Sequence, residues 1–358
     1  MSTYEEAGVN IAKGDSASKS AYAAAKATFS SRQGVIGSPV VLEGGFTGLL
    51  DFGDFYVVQN NDGIGTKTEI ARAIKKYDTI GYDLLAMVAD DAVCVGSEVV
   101  SISNTFDVDK VNEEEIIPAM EGLKNACIEQ KIVIPGGEIA ELGSMSNGLI
   151  WNSTCVGVLE KDKFIDGSKI KAGDKVIGLK SQGFRSNGFS LVRHILKNNL
   201  GDNWYNEIFE AGKTWGEVTL TPALIYHNSI LKITGRFKEQ RKIDVHGIVH
   251  VTGGGIGNNL KRILKNKNLG ANLTDMFAPH SAMLKLQEIG KVEDKEAYKT
   301  WNMGTGMLII VDENDTEETI SLLKESDIAS QVIGDIIEGE KVTLASKGHF
   351  SSEKKIEF

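Results

Sequence analysis

Little in this chain breaks or staples a backbone: it holds 5 prolines and 3 cysteines in 358 residues. Cys94, Cys127 and Cys155 stand far apart in apolar runs, none in a Cys-x-x-Cys pair. An odd number so spaced excludes a disulfide framework and a thiolate zinc site, and the thiols read as reduced and buried. No apolar stretch is long enough to span a bilayer. The opening MSTYEEAGVN is polar and acidic, unlike a secretory signal. Positive charge is in deficit, with 39 Lys and Arg against 49 Asp and Glu and a formal net charge of −10. Nucleic-acid phosphates need a basic face, so no nucleic-acid partner is expected. These absences predict a cytoplasmic protein that acts on small molecules, with no membrane partner.

Several reaction signatures are also missing. There is no Gly-x-Ser-x-Gly nucleophile elbow. The Walker A spacing fails around Lys67, and at Gly212-Lys213-Thr214 the upstream glycine position is Glu207. The dinucleotide pattern Gly-x-Gly-x-x-Gly fails at Asn258. Hydrolase, P-loop and dehydrogenase readings lose support together.

Glycine is plentiful, at 39 residues. With so little proline this predicts tight turns and close backbone approaches, not a disordered linker. The length predicts two domains. Phe55–Val58 reads as a strand that runs into a DGIGTKT turn, followed by helices over 69–76 and 79–96. Val99–Ser103 reads as a strand and Glu113–Gln130 as a helix with acids in its first turn. Ile132–Pro135 reads as a short strand, and 149–159 is β-rich but alternates poorly. A shift to Lys, Asp and Gly over Phe164–Asp174 divides the chain into residues 1–168 and 169–358. Beyond it, strands are expected near 175–179, 248–251, 306–311 and 331–336, with helices over 188–197 and 316–324. Strands and helices mix without a strict βαβ repeat, which predicts an α+β fold with a mixed α/β second half.

Four clusters could carry chemistry. Asp62-Gly63-Ile64-Gly65-Thr66-Lys67 joins an acid, two glycines, a hydroxyl and a lysine, the parts that hold a phosphate with its Mg²⁺. The same run would also serve as a plain strand-to-helix turn with a solvated lysine. Asp90-Asp91 lies inside the apolar run LLAMVADDAVCVG, where two acids need a compensating cation. A metal ion is the simplest such cation. Asp83 is read as solvated. Gly136-Gly137-Glu138 follows a short strand and either places a carboxylate in a cleft or opens a helix. Gly253-Gly254-Gly255 follows a strand bearing His246 and His250 and leads into a helix, a geometry that forms an anion nest. The two histidines are read as packed or surface residues.

These clusters, with three further motifs, stand in the order seen in the phosphoribosylformylglycinamidine cyclo-ligase family. Tyr4-Glu5-Glu6-Ala7-Gly8-Val9-Asn10-Ile11 resembles its opening motif, and Gly136-Gly137-Glu138-Ile139-Ala140-Glu141 resembles its GGETAE. Ser186-Asn187-Gly188-Phe189-Ser190-Leu191-Val192-Arg193 is similar to its SNG[YF]SLVR, and Thr252-Gly253-Gly254-Gly255 to its TGGG. The run from Tyr298 to Met307 resembles its Y-x-T-[FW]-N-x-G-x-G-M. The resemblance implies a homodimer whose N-terminal domains jointly close a β-barrel, with ATP and substrate in a cleft beside it. It implies ATP-driven closure of formylglycinamidine ribonucleotide to aminoimidazole ribonucleotide, with ATP and Mg²⁺ as cofactors.

By that resemblance Asp62, Asp90, Asp91 and Glu138 hold Mg²⁺, and Lys67 and Asp91 are catalytic. Gly63, Gly65, Thr66, Gly136 and Gly137 line the nucleotide. Ser186, Asn187 and Gly253–Gly255 hold the substrate. Lys67→Ala and Asp91→Asn are expected to abolish turnover without harming the fold. Four departures stand out: Arg185 where the family has His, Asp90 where it has Asn, Leu142-Gly143-Ser144, and Ser103-Asn104-Thr105-Phe106. Arg185 is expected to be able to bind a phosphate, though not to shuttle a proton. The competing readings are another ATP-using enzyme of the superfamily, such as a thiamine-phosphate kinase-like one, and a non-catalytic ATP-binding paralogue.

Overall fold

Strand-forming runs collect into two sheets, one from each half of the chain. The computed structural model describes residues 8, 11–42, 45–351 and 354–358. The N-terminal motif therefore lies outside the described residues except at Gly8 and Ile11. The first sheet takes β1 (Ser38–Val40), β2 (Gly48–Asp51), β3 (Phe55–Gly63), β4 (Glu98–Val108), β5 (Val133–Glu141) and β6 (Leu149–Glu160). Their order is β1-β2-β3-β6-β4-β5, antiparallel except for the β4–β5 pair at the edge. The second sheet starts with β7 (Lys175–Lys180). After a small hairpin, β8 (Ile208–Glu210) and β9 (Lys213–Thr214), it takes β10 (Val245–His250), β11 (Leu269–Leu273), β12 (Thr305–Val311), β13 (Ser330–Glu338), β14 (Val342–Ala345) and β15 (Lys355–Glu357). Its order is β10-β12-β7-β13-β11-β14-β15. With their flanking helices the sheets make a two-domain α+β protein.

The helices of the first half are α1 (Ile11–Ala27), α2 (Lys67–Ile74), α3 (Ile80–Val93) and α4 (Glu113–Gln130). The second half adds α5 (Phe189–Leu200), α6 (Trp215–Thr219), α7 (His227–Thr234), α8 (Gly255–Leu264), α9 (Ser281–Gly290), α10 (Asp294–Thr300) and α11 (Thr316–Lys324). Helix α3 is apolar on nearly every side, and such a helix must be enclosed. Leu84, Leu85, Val88 and Ala89 are fully buried. It is covered by α4, by the first sheet and by α7 of the second domain. Close approach to α4 depends on two glycines. A Cβ on Gly81 would lie 2.1 Å from the Leu123 amide nitrogen, and one on Gly122 would lie 2.1 Å from the Asp78 carbonyl oxygen.

Two local expectations need correction. Gly136-Gly137-Glu138 opens no helix, because β5 continues through it in parallel register with β4. Only a glycine suits that pairing at 137, since a Cβ there would sit 2.8 Å from the Asn104 carbonyl. The run 149–159 alternates strictly in burial, residue by residue, as β6. Its pattern is blurred in sequence because Ile150, Val156 and Val158 occupy the outward face. Cys94, Cys127 and Cys155 are buried free thiols. Among the described residues no helix is long and apolar enough to cross a membrane.

The domains are joined by polar links as well as packing. His227, at the start of α7, accepts a hydrogen bond at Nε2 from the Val99 amide of β4 at 2.9 Å. Burial, aided by the charge of Arg236, drives its pKa down to about 3. The unfolded chain takes up a proton at this residue below about pH 6.5 that the folded protein refuses. The stabilisation is therefore whole above that pH and shrinks as pH falls toward 3. Urea midpoints should drop between pH 6.5 and 5, and the drop should be shallower in His227→Gln. Gly81→Ala should cost about 1–3 kcal/mol by overpacking. Gly136→Ala, where an added Cβ meets nothing within 4 Å, should leave the urea midpoint nearly unchanged.

Candidate active site

Strand alternation puts Asn60 and Asp62 on one face of β3, the face that also carries buried Val58 toward α3. Asp91 of α3 meets that face. Its Oδ2 accepts from Asn60 Nδ2 at 3.2 Å, and its Oδ1 lies 2.7 Å from Nδ1 of His250, the last residue of β10. Burial raises the Asp62 carboxyl to about 6, against the bond from the Gly63 amide and with help from the charge of Asp91. Asp62 and Asp91 are thus two neighbouring carboxylates from distant stretches, with a second-domain histidine behind one of them.

Asp83 and Asp90 lie seven residues apart, two turns of α3, and share its other face. Both are fully buried, which corrects the reading of Asp83 as solvated. Asp83 Oδ2 lies 2.7 Å from Lys67 Nζ, and its Oδ1 accepts from the Ala223 amide at 3.1 Å. Burial lifts the Asp83 carboxyl to about 6 and lowers the Lys67 ammonium. Lys67 also donates to the carbonyls of Arg185 and Thr221, each at 3.1 Å, so its three donors are used. It is neither solvated nor turned toward a cleft.

Asp90 answers to Arg185, not to a metal ion. Its Oδ2 accepts from Arg185 Nη2 at 2.7 Å, while Oδ1 accepts the amides of Tyr226 and His227 at 2.9 and 3.1 Å. Arg185 is itself buried, with Nη1 bonded to the Leu224 carbonyl at 2.7 Å and Nη2 2.9 Å from His250 Nε2. Burial opposes its charge, yet Asp90 holds the guanidinium above its ordinary pKa. So engaged, Arg185 is not placed to receive a phosphate.

The second-domain motifs converge. Ser186 Oγ is buried and has no hydrogen-bond partner among the described residues. Asn187 stands beside exposed Gly253, 3.9 Å from where its Cβ would be. Gly254 and Gly255 turn the chain into α8 at φ of 91° and 70°. A Cβ on Gly255 would fall 1.7 Å from the Tyr298 carbonyl, so no other residue fits there. At the β3 turn, Gly63 leaves room for Asn152 Oδ1, which a Cβ would meet at 2.1 Å. Gly65 follows at φ 60°, and Thr66 caps α2 without a side-chain bond.

Glu138 is not brought to this group within the chain. It pairs with Thr105 of β4, Thr105 with Asn152 of β6, and Asn152 with Gly63 of β3. Three strand spacings separate it from Gly63, roughly 14 Å. Gly136 and Gly137 share its exposed edge strand.

Among the described residues no three His, Cys, Asp or Glu side chains form a metal cage. Two carboxylates suit a hard divalent ion that brings phosphate and water oxygens with it, which is how Mg²⁺ commonly binds. The donor set of Asp62 and Asp91 fits that ion. Sequence reasoning misses the central place of His250 and the role of the 221–227 loop, whose carbonyls and amides bind Lys67, Arg185 and Asp90. Backbone donors leave no trace in residue type. The one available signal for His250 is its position at a strand end just before Gly253.

Comparison with known proteins gives the family. The family model described as AIR synthase related protein, N-terminal domain, covers residues 44–159, and its C-terminal domain covers 171–347. The phosphoribosylformylglycinamidine cyclo-ligase of Pyrococcus furiosus is 38% identical, over 90% of this chain and 92% of its own. Those of Thermococcus kodakarensis and Methanocaldococcus jannaschii are 37% and 34% identical, over 94% and 96% of this chain and 96% and 94% of their own. In structure the chain resembles a HypE–HypF complex chain, with a TM-score of 0.62 at 15% identity over 87% of this chain and 92% of that one. It also resembles T. maritima PurL complexed with ADP, with a TM-score of 0.58 at 13% identity over 89% of this chain and 46% of that one. At such identity these two likenesses speak for the fold alone. Two domain models in series and relatives above 30% identity along nine-tenths of its length place the chain: it belongs to the AIR synthase related family, and within it to the phosphoribosylformylglycinamidine cyclo-ligases.

Proposed function

We propose that this chain closes the imidazole ring of aminoimidazole ribonucleotide from formylglycinamidine ribonucleotide, consuming ATP and releasing ADP and phosphate, in de novo purine synthesis in the cytoplasm. The observation that carries the reading is the Asp62–Asp91 carboxylate pair beside the Gly63–Thr66 turn, in a chain whose relatives are named for this activity. ATP with Mg²⁺ supplies a phosphoryl group that turns the formyl oxygen into a leaving group. The chain's own residues bind and orient. Asp62 and Asp91 hold the divalent ion, and the turn from Gly63 to Thr66 admits the phosphates at close range. Ser186, Asn187 and the α8 amides behind Gly253–Gly255 receive the substrate's phosphate or its ring precursor. Catalysis of this kind asks for positioning and charge neutralisation, not a protein nucleophile.

Two assignments change from the sequence reading. Metal holding falls to Asp62 and Asp91 alone, because Asp90 is saturated and Glu138 lies on a distant strand. Lys67 ties the turn to the second domain. Removing its charge would strand buried Asp83, at a cost of about 3–5 kcal/mol. Residues 1–168 form the nucleotide-binding and dimerisation unit and 169–358 the substrate-side unit.

The outer face of the first sheet supports a homodimer as part of this reading. Val100 and Ile150 are exposed there, and Val57, Val156 and Val158 are half-buried. β5 is an open edge as well. A second copy of the chain covers that face, its strands completing a shared barrel.

ADP release dependent on formylglycinamidine ribonucleotide is the deciding assay. Release with a different acceptor only, or ATP binding without turnover, would move the chain to one of the competing readings. Asp62→Asn and Asp91→Asn should each lower kcat/KM by about a hundredfold or more, the scale set by removing one electrostatic stabiliser from a charged transition state. Both should keep the wild-type unfolding free energy from urea titration to within about 1 kcal/mol. Lys67→Met should instead unfold at markedly lower urea, and Lys67→Met with Asp83→Leu should regain most of that deficit. Ile150→Lys should convert a two-chain mass in sedimentation to a one-chain mass.

A further inference from the structure

Arg185 is held in a backbone conformation that side-chain-bearing residues seldom adopt, with φ at 59°. Its carbonyl is fixed by Lys67 at 3.1 Å, and its guanidinium lies over the Tyr226 ring at 4.9 Å. The two hydrogens of Nη2 have separate destinations. One goes to Asp90 Oδ2 at 2.7 Å and the other to His250 Nε2 at 2.9 Å. A guanidinium has no acceptor and keeps its proton in proteins. His250 must therefore offer a lone pair at Nε2, which leaves its ring hydrogen on Nδ1. That hydrogen points at Asp91 Oδ1, 2.7 Å away. With Asn60 on Oδ2, both oxygens of Asp91 are oriented by donors.

We propose that Arg185, with Asp90 as its counter-ion, is a positioning residue that fixes His250 as the Nδ1–H tautomer and thereby aims Asp91 at the divalent cation it shares with Asp62. Arg185 touches neither the substrate nor the ion. It acts through His250, in the way that outer partners of a metal ligand set its direction. Asp90 is the anion that makes a buried guanidinium tolerable there. The inference rests on the reading of Asp62 and Asp91 as the metal ligands.

The first test needs no variant. In ¹⁵N-histidine-labelled protein without metal or nucleotide, the His250 resonances, identified by their loss in His250→Gln, should show a protonated Nδ1 and a bare Nε2. A protonated Nε2 overturns the proposal. The second test uses the double variant Asp90→Asn with Arg185→Gln, whose buried pair is neutral and folds without a stranded charge. Its His250 should exchange between tautomers. Its affinity for Mg²⁺ alone, read from the Asp62 and Asp91 amide resonances, should weaken roughly tenfold to a hundredfold. KM for Mg²⁺-ATP should rise by a similar factor, with kcat at saturation changed much less. Wild-type Mg²⁺ affinity in a folded double variant overturns the proposal. Failure of the proposed reaction would appear separately, as absent ADP release by the wild type, and would leave the tautomer and metal titrations readable.

Discussion

Helix α3 carries two carboxylates, Asp83 and Asp90, into ground closed to water and a third, Asp91, to its margin, and the protein is built around answering them. A buried charge without a partner costs several kcal/mol, more than most single contacts return. Asp83 is answered by Lys67, Asp90 by Arg185, and Asp91 by His250 and Asn60. Arg185 and His250 belong to the second domain, and Lys67 completes its bonds on second-domain carbonyls. Docking of the two domains and assembly of the site are consequently one event. Neither half can satisfy the α3 acids alone.

The pairs also sort the charge. Lys67 with Asp83 and Arg185 with Asp90 each sum to zero. Around α3, Asp62 and Asp91 receive no lysine or arginine among the described residues, so their negative charge is not cancelled by such a partner. The Asp62 carboxyl rises to about 6, chiefly through burial, with the neighbouring Asp91 adding to the rise. A divalent cation brought by a phosphate chain is the species that relieves it. Pairing of Asp83 and Asp90 thus leaves Asp62 and Asp91 as the carboxylates to which the proposed ion is assigned.

Much of this is legible in sequence. The apolar run around Asp90-Asp91 announces buried acids needing compensation, and the turn at Asp62 announces a close backbone approach. What residue types do not carry is which cation meets which acid. A lysine that follows a glycine turn reads as the phosphate's partner. The capture of Lys67 by Asp83 depends instead on a strand-to-helix geometry that places it under the second domain. Motif order groups Glu138 with the acids, yet sheet register decides distance, and β4 and β6 intervene. The outer face of β6 misleads for a related reason: its valines and isoleucine break the alternation because that face, too, is suited to burial.

Arg185 and Asp90 stand in sequence as two separate departures from the family's His and Asn, far apart in the chain. In space they are one pair at 2.7 Å, buried at 2% and 0% exposure. Arginine opposite asparagine would leave a buried cation unpaired, and aspartate opposite a neutral histidine would leave a buried anion unpaired. Either change alone carries a cost of about 3–5 kcal/mol, a large share of a domain's whole stability. Together they cancel, and the ring of His250 still receives a hydrogen-bond donor. Measured against the motifs this chain resembles, the two departures are thus one ion pair with no net charge. Such a pair adds no charge of its own beside Asp62 and Asp91.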